Sequence, residues 1–406
     1  MPSRLPDGQP VPTDGRLPEA ATASLGSRPF GCYVHVPFCQ ARCGYCDFNT
    51  YTAAELGPGV SRASYASGVI GEIRLARGVL GATDMPVTSV FFGGGTPTLL
   101  PATDLGEILR VIDGEFGLLP DAEVTVEANP ETVDERSLAG LRAVGMTRIS
   151  LGMQSAAPHV LTVLDRVHQP GRPARCAQWA RAAGFRHVSL DLIYGTPGET
   201  APDWQASLAA ALAAGPDHIS AYALIVEEGT RLAARVRRGE LPAPDDDDMA
   251  DRYAAADETL SAAGLSWYEI SNWAAGPGSR CRHNLLYWTG GDWWGAGPGA
   301  HSHIGGTRWW NVKHPAAYAA RLAAGRSPAQ AREILTERER QLERVLLLTR
   351  LASGCPVAEL SPAGQAAAAA AVADGLADPG ALESGRVVLT LRGRLLADSV
   401  VRGLTG

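Results

Sequence analysis

The sequence predicts an α/β protein built on a parallel sheet, because β-rich runs and helical segments alternate up to about residue 226. Six short apolar runs occupy residues 32–36, 87–92, 123–126, 148–151, 187–193 and 218–225. Between the second and third runs, apolar residues follow the i, i+3, i+4, i+7 spacing of an amphipathic helix. They are Leu105, Ile108, Leu109 and Ile112. Repeated strand and helix units imply parallel strands joined by right-handed crossovers. Periodicity alone leaves open whether the sheet is open or curls into a barrel.

The composition excludes several classes of protein. A chain of 406 residues that is 45% hydrophobic and 19% charged is typical of a soluble globular protein with more than one domain. Its net charge of -7 provides no general basic field, so we expect no nucleic-acid partner. No apolar run approaches the roughly 18 residues of a spanning helix, and no secretory signal precedes residue 29. These features predict a cytoplasmic protein, with peripheral membrane contact left open.

Changes in composition divide the chain into four predicted parts. Residues 1–28, rich in Pro, Gly and polar residues, are expected to form a disordered tail. Residues 29–226 are expected to form the sheet domain, and residues 227–334 an α+β extension. The acidic run at 245–248 in that extension is typical of a solvated helix start.

The fourth part, residues 335–406, is predicted to be a small helical unit. It is expected to end in a strand at 387–391, a turn at 392–394 and a helix at 395–401, which is similar to a winged helix. Winged helices often bind DNA, but three arginines, Arg392, Arg394 and Arg402, are too few to favour nucleic-acid binding here.

The cysteines indicate ligation of a metal or cluster. The chain has seven of them and no export signal, which argues against a disulfide framework. Cys39, Cys43 and Cys46 have C-x3-C-x2-C spacing directly after the first strand. Cysteine thiolates hold iron-sulfur clusters, usually four per cluster, so three would leave one iron open to a small molecule. The alternatives are zinc, with His35 as the nearest fourth ligand, and buried unreactive thiols.

Polar or flexible residues follow five successive predicted strands. They are the cysteine segment, the glycines at 93–95, Glu127, Gln154 and Asp191. The carboxyl ends of parallel strands meet at one mouth, where barrels and sheets of this kind bind ligands. Glycines there let the backbone approach a ligand and present its amides. The sequence therefore predicts a ligand site at this mouth.

A dinucleotide motif at 295–300 (GAGPGA) is rejected on its context. We expect no apolar strand before it and no helix after it, and the motif requires both.

Four further segments make the chain resemble the radical S-adenosylmethionine superfamily, and within it the branch of the oxygen-independent coproporphyrinogen oxidases. These segments lie at 91–98 (FFGGGTPT), 127–130 (EANP), 148–155 (RISLGMQS) and 191–198 (DLIYGTPG). The resemblance spans about residues 30–406 and implies a partial barrel of six β/α units. It also implies a 4Fe-4S cluster on Cys39, Cys43 and Cys46 with S-adenosylmethionine at its open iron. In that superfamily, an electron passed through the cluster cleaves the sulfonium to a 5'-deoxyadenosyl radical.

The resemblance implies which residues contact S-adenosylmethionine. Gly94, Gly95 and Thr96 match the turn that meets its methionyl amino end. The positions that match contacts to its methionyl and ribose groups are Glu127, Gln154, Arg166 and Asp191. An arginine that pairs with a carboxylate, and a carboxylate that accepts from hydroxyls, suit those groups chemically. Tyr33 and Tyr45 match positions near the cofactor.

Two features resemble a heme-chaperone group of this branch more than its oxidases. In the oxidases a further cysteine follows the third cluster cysteine after one intervening residue, whereas here Cys46 is followed by Asp47 and Phe48. In addition, residues 281–288 (CRHNLLYW) contain the H-N-x-x-Y-W motif that is associated with heme binding in the chaperone group.

That motif implies a heme contact at His283. Its imidazole would bind iron, and Tyr287 and Trp288 would offer flat apolar surface to a porphyrin. A histidine packed in an aromatic core is the alternative. His301 and His303 are weaker candidates for a second iron ligand.

The resemblance thus predicts a heme chaperone that binds a 4Fe-4S cluster, S-adenosylmethionine and heme, and transfers heme to an acceptor hemoprotein such as a respiratory one. No residue is assigned a catalytic role, and enzymatic activity is left open. Two alternatives are an oxygen-independent coproporphyrinogen III dehydrogenase, which decarboxylates its substrate oxidatively, and a zinc-stabilised binding module.

Overall fold

A mixed sheet organises the protein, whose computed structural model describes residues 7–56 and 62–406. Its strands are β1 (Phe30–Val36), β2 (Val87–Gly94), β3 (Leu118–Ala128), β4 (Arg148–Gln154), β5 (His187–Tyr194), β6 (His218–Ala223), β7 (Ser266–Glu269), β8 (Asn272–Ala274), β9 (Asp292–Ala296), β10 (His301–Ile304), β11 (Thr307–Asn311) and β12 (Ala329–Ile334). Their order in the sheet is β12-β11-β10-β9-β1-β2-β3-β4-β5-β6-β8-β7. Strands β1 to β6 are parallel, as the six apolar runs predict. A separate small sheet pairs β13 (Cys355–Pro356) with β14 (Arg386–Val387).

The helices pack around this sheet and form the C-terminal unit. They are α1 (Glu19–Thr22), α2 (Arg62–Leu80), α3 (Ala102–Phe116), α4 (Glu135–Ala143), α5 (Pro158–Val163), α6 (Arg172–Ala182), α7 (Ala201–Ala213), α8 (Arg231–Arg237), α9 (Asp246–Ala262), α10 (Arg282–Trp288), α11 (Pro315–Ala323), α12 (Glu337–Leu348), α13 (Pro362–Ala373), α14 (Pro379–Glu383), α15 (Leu391–Leu395) and α16 (Ala397–Thr405). In the part of the chain that is described, no helix combines the length and apolar character needed to cross a membrane.

The parallel strands curl into a partial barrel, as shown by a contact between the segments that follow β1 and β6. Leu232 N, after β6, donates a hydrogen bond of 2.8 Å to Gly44 O, after β1. In a flat sheet, five strand spacings would hold these segments about 24 Å apart. The contact settles the question that periodicity leaves open.

The two faces of the barrel strands differ in polarity. Cys32 and Val34 of β1 lie beside Ile73 of α2 and Ile112 of α3, on the outer, apolar face. The alternate positions face inward, and many of them are polar, including Ser89, Glu123, Glu127, Arg148, Ser150, Asp191 and His218. Because buried polar groups need hydrogen-bond partners, the barrel requires polar closure at both ends.

Helix α10 closes the amino end of the barrel. The backbone amides of Arg282 and His283 donate to Glu123 Oε1 at 2.9 and 3.3 Å. Glu123 Oε2 lies 3.5 Å from Arg148 Nη1, and both side chains are at least 95% buried. On its other side, α10 places Leu285 and Trp288 against the core of the C-terminal unit.

The expectation of a disordered tail at 1–28 is wrong for residues 7–28. Gln9 exchanges backbone hydrogen bonds of 2.7 and 2.9 Å with Arg332 of β12, and Ser327 N donates to Thr13 O at 2.8 Å. Leu17 and Ala21 are buried in the main core. We call residues 7–28 the strap. The strap has no sequence periodicity because its backbone partners come from a distant strand. Residues 1–6 lie outside the described residues.

The region 227–334 belongs to the same sheet as the barrel. Strand β9 pairs in parallel with β1, while β8 pairs with β6. A strand therefore precedes the GAGPGA segment, contrary to expectation, but an antiparallel strand follows it, so the rejection of a dinucleotide site holds on the second ground. The acidic run begins α9 as predicted, with the Asp245 side chain accepting from Asp248 N at 2.9 Å.

The C-terminal unit has its own core and docks against α9 and β7. The Arg394 guanidinium bonds both carboxylate oxygens of Asp257 at 2.9 and 2.5 Å, and lies 4.4 Å from the ring centroid of Trp267. Leu351 forms a β-bridge with Glu269 of β7. The strand expected at 387–391 is shorter than predicted, since β14 ends at Val387. The turn expected at 392–394 is wrong, because Thr390 caps the short helix α15 there. The winged-helix likeness stays a prediction.

Candidate functional site

The cysteine loop, residues 37–51, carries Cys39, Cys43 and Cys46 as half-buried free thiols. Its ends are tied by Tyr51 N to Pro37 O at 2.7 Å and Cys39 N to Tyr51 O at 3.0 Å. Burial raises the pKa of Cys39 and, to about 11, that of Cys46, and the neighbouring thiolates add to both increases. Two thiols with raised pKa values, Cys39 and Cys46, suit a cationic centre that binds them as thiolates.

The zinc interpretation loses its fourth ligand, because both ring nitrogens of His35 are engaged. Nε2 donates to Asn49 O at 2.9 Å and Nδ1 accepts from the Tyr33 hydroxyl at 2.9 Å. Burial lowers the pKa of His35 to about 4, so the ring is neutral. Across residues 7–56 and 62–406, no three His, Cys, Asp or Glu side chains converge on the position of a single metal ion. A cluster in which each cysteine binds a different iron needs no such convergence.

The glycine turn after β2 packs tightly against the cysteine loop. A Cβ on Gly94, whose φ is +107°, would lie 2.6 Å from the His35 ring, and one on Gly95 would lie 2.5 Å from Phe38 O. The amides of Gly94, Gly95 and Thr96 already donate to Glu127 Oε2, Val36 O and Phe38 O. The expectation that this turn presents free amides to a ligand is therefore wrong for these three residues.

Two carboxylates share the upper part of the barrel interior. Burial, and then the nearby charge of Asp191, raises the pKa of Glu127 to about 8. Asp191 accepts from Ser150 Oγ at 2.9 Å on both oxygens, and burial raises its pKa as well. A ligand that brings positive charge or hydroxyl donors would stabilise both ionised forms.

Arg166 links these groups to the cysteine loop. Its Nη1 lies 3.5 Å from Cys43 Sγ and its Nη2 donates to Gly152 O at 2.7 Å, while its buried Nε has no hydrogen-bond partner among the described residues. The Gln154 amide lies against the same Gly152. Gln154 and Asp165 hold φ values of +64° and +55°, a left-handed conformation that non-glycine residues rarely adopt outside functional or tightly held segments.

The structure brings most of the predicted site together at the carboxyl ends of the strands. These residues are Cys39, Cys43, Cys46, Tyr45, Gly94, Gly95, Thr96, Glu127, Gln154, Arg166 and Asp191. Tyr33 lies deeper, with its ring 6.3 Å from that of His283.

His283 lies towards the opposite end of the barrel, in α10. It is 1% exposed and stacks on Phe91 with ring centroids 5.1 Å apart. Its Nδ1 bonds Ser89 Oγ at 2.9 Å and its Nε2 bonds the Tyr287 hydroxyl at 2.7 Å. Burial lowers its pKa to about 3. In this conformation His283 is the packed aromatic-core histidine that the sequence left as the alternative.

The other two candidate histidines differ in their surroundings. His303 is buried, with Nδ1 bonded to Gly291 O at 3.1 Å and Nε2 accepting from Gly306 N at 3.2 Å. His301 is half-buried and stacks on Trp310 with centroids 6.0 Å apart, and burial lowers its pKa. The described contacts include no hydrogen bond to its ring, so iron would meet the least competition at His301.

The sequence did not predict two interactions that orient this site. Ser150 holds Asp191, and His35 joins β1 to the cysteine loop. The available signal was the period-two spacing of polar residues within apolar strands, such as Arg148 with Ser150.

A partial parallel barrel with a three-cysteine loop after its first strand defines the radical SAM class of proteins. Residues 33–211 match the model of the Radical SAM superfamily. The solved structure of a coproporphyrinogen III oxidase from Escherichia coli superposes with a TM-score of 0.79 at 21% identity, covering 95% of this chain and 92% of that one, which shows a shared fold.

Sequence comparison identifies the family more narrowly. A heme chaperone HemW from Mycobacterium tuberculosis is 56% identical over 95% of this chain and 97% of its own length. Relatives of the same name from Synechocystis and Bacillus subtilis are 37% identical over 83% of this chain and 82% of theirs, and 32% identical over 92% and 98%. The chain belongs to the HemW family.

The cysteine loop predicts cluster binding that depends on three thiols. Anaerobically reconstituted protein should carry about four irons per chain and lose them when Cys39, Cys43 and Cys46 are all replaced by Ala. Iron and sulfide analysis with electron paramagnetic resonance measures this. The matched control is Cys176→Ala, a buried thiol outside the loop, which should retain the iron. Stoichiometric zinc in place of iron would contradict the prediction.

Proposed function

We propose that the protein is a heme chaperone that holds a 4Fe-4S cluster and S-adenosylmethionine, binds heme and transfers it to an acceptor hemoprotein, such as a respiratory one, in the cytoplasm or at a membrane surface. The observation that carries the proposal is the 56% identity to a heme chaperone over nearly the whole of both chains. The H-N-x-x-Y-W motif at 283–288 adds support.

The mouth residues fit the two cofactors chemically. Cys39, Cys43 and Cys46 would hold the cluster, which when bound supplies an electron to S-adenosylmethionine. The Nε of Arg166, which has no hydrogen-bond partner in the described part of the chain, suits a ligand carboxylate. Glu127 and Asp191, both with raised pKa values, suit the ligand's ammonium group and ribose hydroxyls.

Heme binding at His283 requires a local rearrangement. Iron needs a free imidazole nitrogen, and Nε2 is bonded to Tyr287. Rotation of the Tyr287 side chain, which is half-buried, would free Nε2 while leaving Nδ1 on Ser89 to fix the tautomer. We therefore propose His283 as the heme ligand in an opened form of α10, with His301 as the competing candidate.

Heme titration of variants distinguishes these two ligands. His283→Ala should weaken the saturating Soret shift, whereas Tyr287→Phe should speed heme association because it removes the hydroxyl that occupies Nε2. Tyr287→Phe also keeps the ring packing, so it remains informative if His283→Ala folds poorly. Unchanged kinetics in Tyr287→Phe, together with lost binding in His301→Ala, would transfer the ligand role to His301.

Binding of S-adenosylmethionine should depend on pH through Glu127. With a pKa of about 8, this carboxyl is protonated at neutral pH, and the positive charges of the ligand favour its ionised form. We expect proton release on binding, and an affinity that rises with pH and levels off above about pH 8. Calorimetry of the reconstituted protein in buffers of different ionisation enthalpy measures the protons released.

Glu127→Gln should abolish that proton release, while Glu131→Gln, an exposed carboxylate on the next turn, should leave it intact. Equal proton release in wild type and Glu127→Gln would mean that another group titrates.

The oxidase alternative is tested by its product. In an anaerobic assay with coproporphyrinogen III, reductant and S-adenosylmethionine, we expect no decarboxylated product, because the cysteine that follows the cluster motif in the oxidases is missing here. The Escherichia coli oxidase serves as the positive control. Product formation at a comparable rate would replace the chaperone proposal by the oxidase.

A further inference from the structure

The middle of the cysteine loop is held by residues from the far side of the barrel mouth. Arg231, the first residue of α8, donates from Nη2 to Arg42 O at 2.7 Å, and the same nitrogen lies 3.1 Å from Asp165 Oδ2. Leu232 N donates to Gly44 O at 2.8 Å, and Gly44 N donates to Leu164 O at 3.4 Å. The residues on both sides of Cys43 are thus bound by segments that follow β4 and β6.

From these contacts we infer that Arg231 and Asp165 form a clamp that positions Cys43 for the cluster. The inference rests on the cluster in the proposed function. Arg231 is a positioning residue, since it reaches the thiol only through the backbone of the loop.

Gly44 shows how closely this clamp fits. A Cβ at residue 44 would lie 2.3 Å from Asp165 Oδ2, so any side chain there would displace the carboxylate that Arg231 pairs with. Asp165 itself is held with φ at +55°, and the next residue, Arg166, contacts Cys43 Sγ at 3.5 Å. One short segment therefore touches both the backbone and the sulfur of the loop.

The loop has few other anchors near its centre. Apart from the clamp, the described hydrogen bonds of residues 40–46 to the backbone are the two bonds of Gly44, Cys46 N to Cys43 O at 3.3 Å, and the Arg42 guanidinium to Thr50 O. The Arg231 and Asp165 side chains are 65% and 35% exposed, and an ion pair near solvent contributes little to global stability. Loss of the clamp should therefore loosen the loop without unfolding the protein.

Variants of the clamp test this on the reconstituted protein. Arg231→Ala and Asp165→Asn should lose iron to a chelator about tenfold faster than wild type, as expected for the loss of an outer contact to a metal ligand. Both substitutions should also change the electron paramagnetic resonance spectrum of the reduced cluster. Arg231→Lys should restore part of the retention. The control is Arg238→Ala, which removes an exposed arginine that pairs with Glu240 and should match wild type.

Cluster-free protein provides a second measurement. Alkylation of Cys43 by iodoacetamide, followed by mass spectrometry, should be faster in Arg231→Ala than in Arg238→Ala. Wild-type chelation and alkylation rates in Arg231→Ala would overturn the clamp. A wild-type protein that takes up no cluster, but whose Cys43 is protected by Arg231, would instead overturn the cluster and leave the clamp standing.

Discussion

The polar interior of the barrel is the constraint on which the rest of the structure depends. Buried groups such as Glu123, Arg148 and Asp191 must each find a partner, because an unpaired buried charge is strongly destabilising. At the amino end, the first amides of α10 complete the Glu123 and Arg148 pair. At the carboxyl end, Ser150 and the glycine turn supply partners, but Glu127 and Asp191 keep raised pKa values, and Arg166 Nε has no hydrogen-bond partner among the described residues. The incomplete end is the one suited to a ligand.

The cysteine motif and the H-N-x-x-Y-W motif lie at these two different ends of the barrel. The cysteines and their companions surround the open mouth, whereas His283 is part of the closure at the other end. Tyr33 connects them physically, since its hydroxyl bonds His35 and its ring lies near His283. Side-chain contacts thus join α10 to the strand that leads into the cysteine loop. The C-terminal unit touches the same helix at Leu285 and Trp288, so its position also bears on access to His283.

The sequence predicted features that are local and missed those that depend on distant partners. The six apolar runs were enough to predict strands β1 to β6, and the C-x3-C-x2-C spacing predicted the cysteine loop. The environment of His283 could not be predicted, because Ser89, which bonds its Nδ1, lies 194 residues away in the sequence. The strap at 7–28 was hidden for the same reason, since β12 supplies its order. A segment with the composition of a turn forms α15 because the Thr390 hydroxyl caps the helix by accepting a hydrogen bond from Gly393 N.

Segments from the N-terminal and C-terminal parts of the chain pair with the two edge strands of the sheet. A sheet of twelve strands that does not close has two edges, here β12 and β7. Exposed edges offer unpaired backbone groups to other chains and promote aggregation. Gln9 of the strap pairs with Arg332 on one edge, and Leu351 of the C-terminal unit pairs with Glu269 on the other. The segment expected to be disordered and the C-terminal unit thus each supply a backbone partner to one edge strand of the sheet.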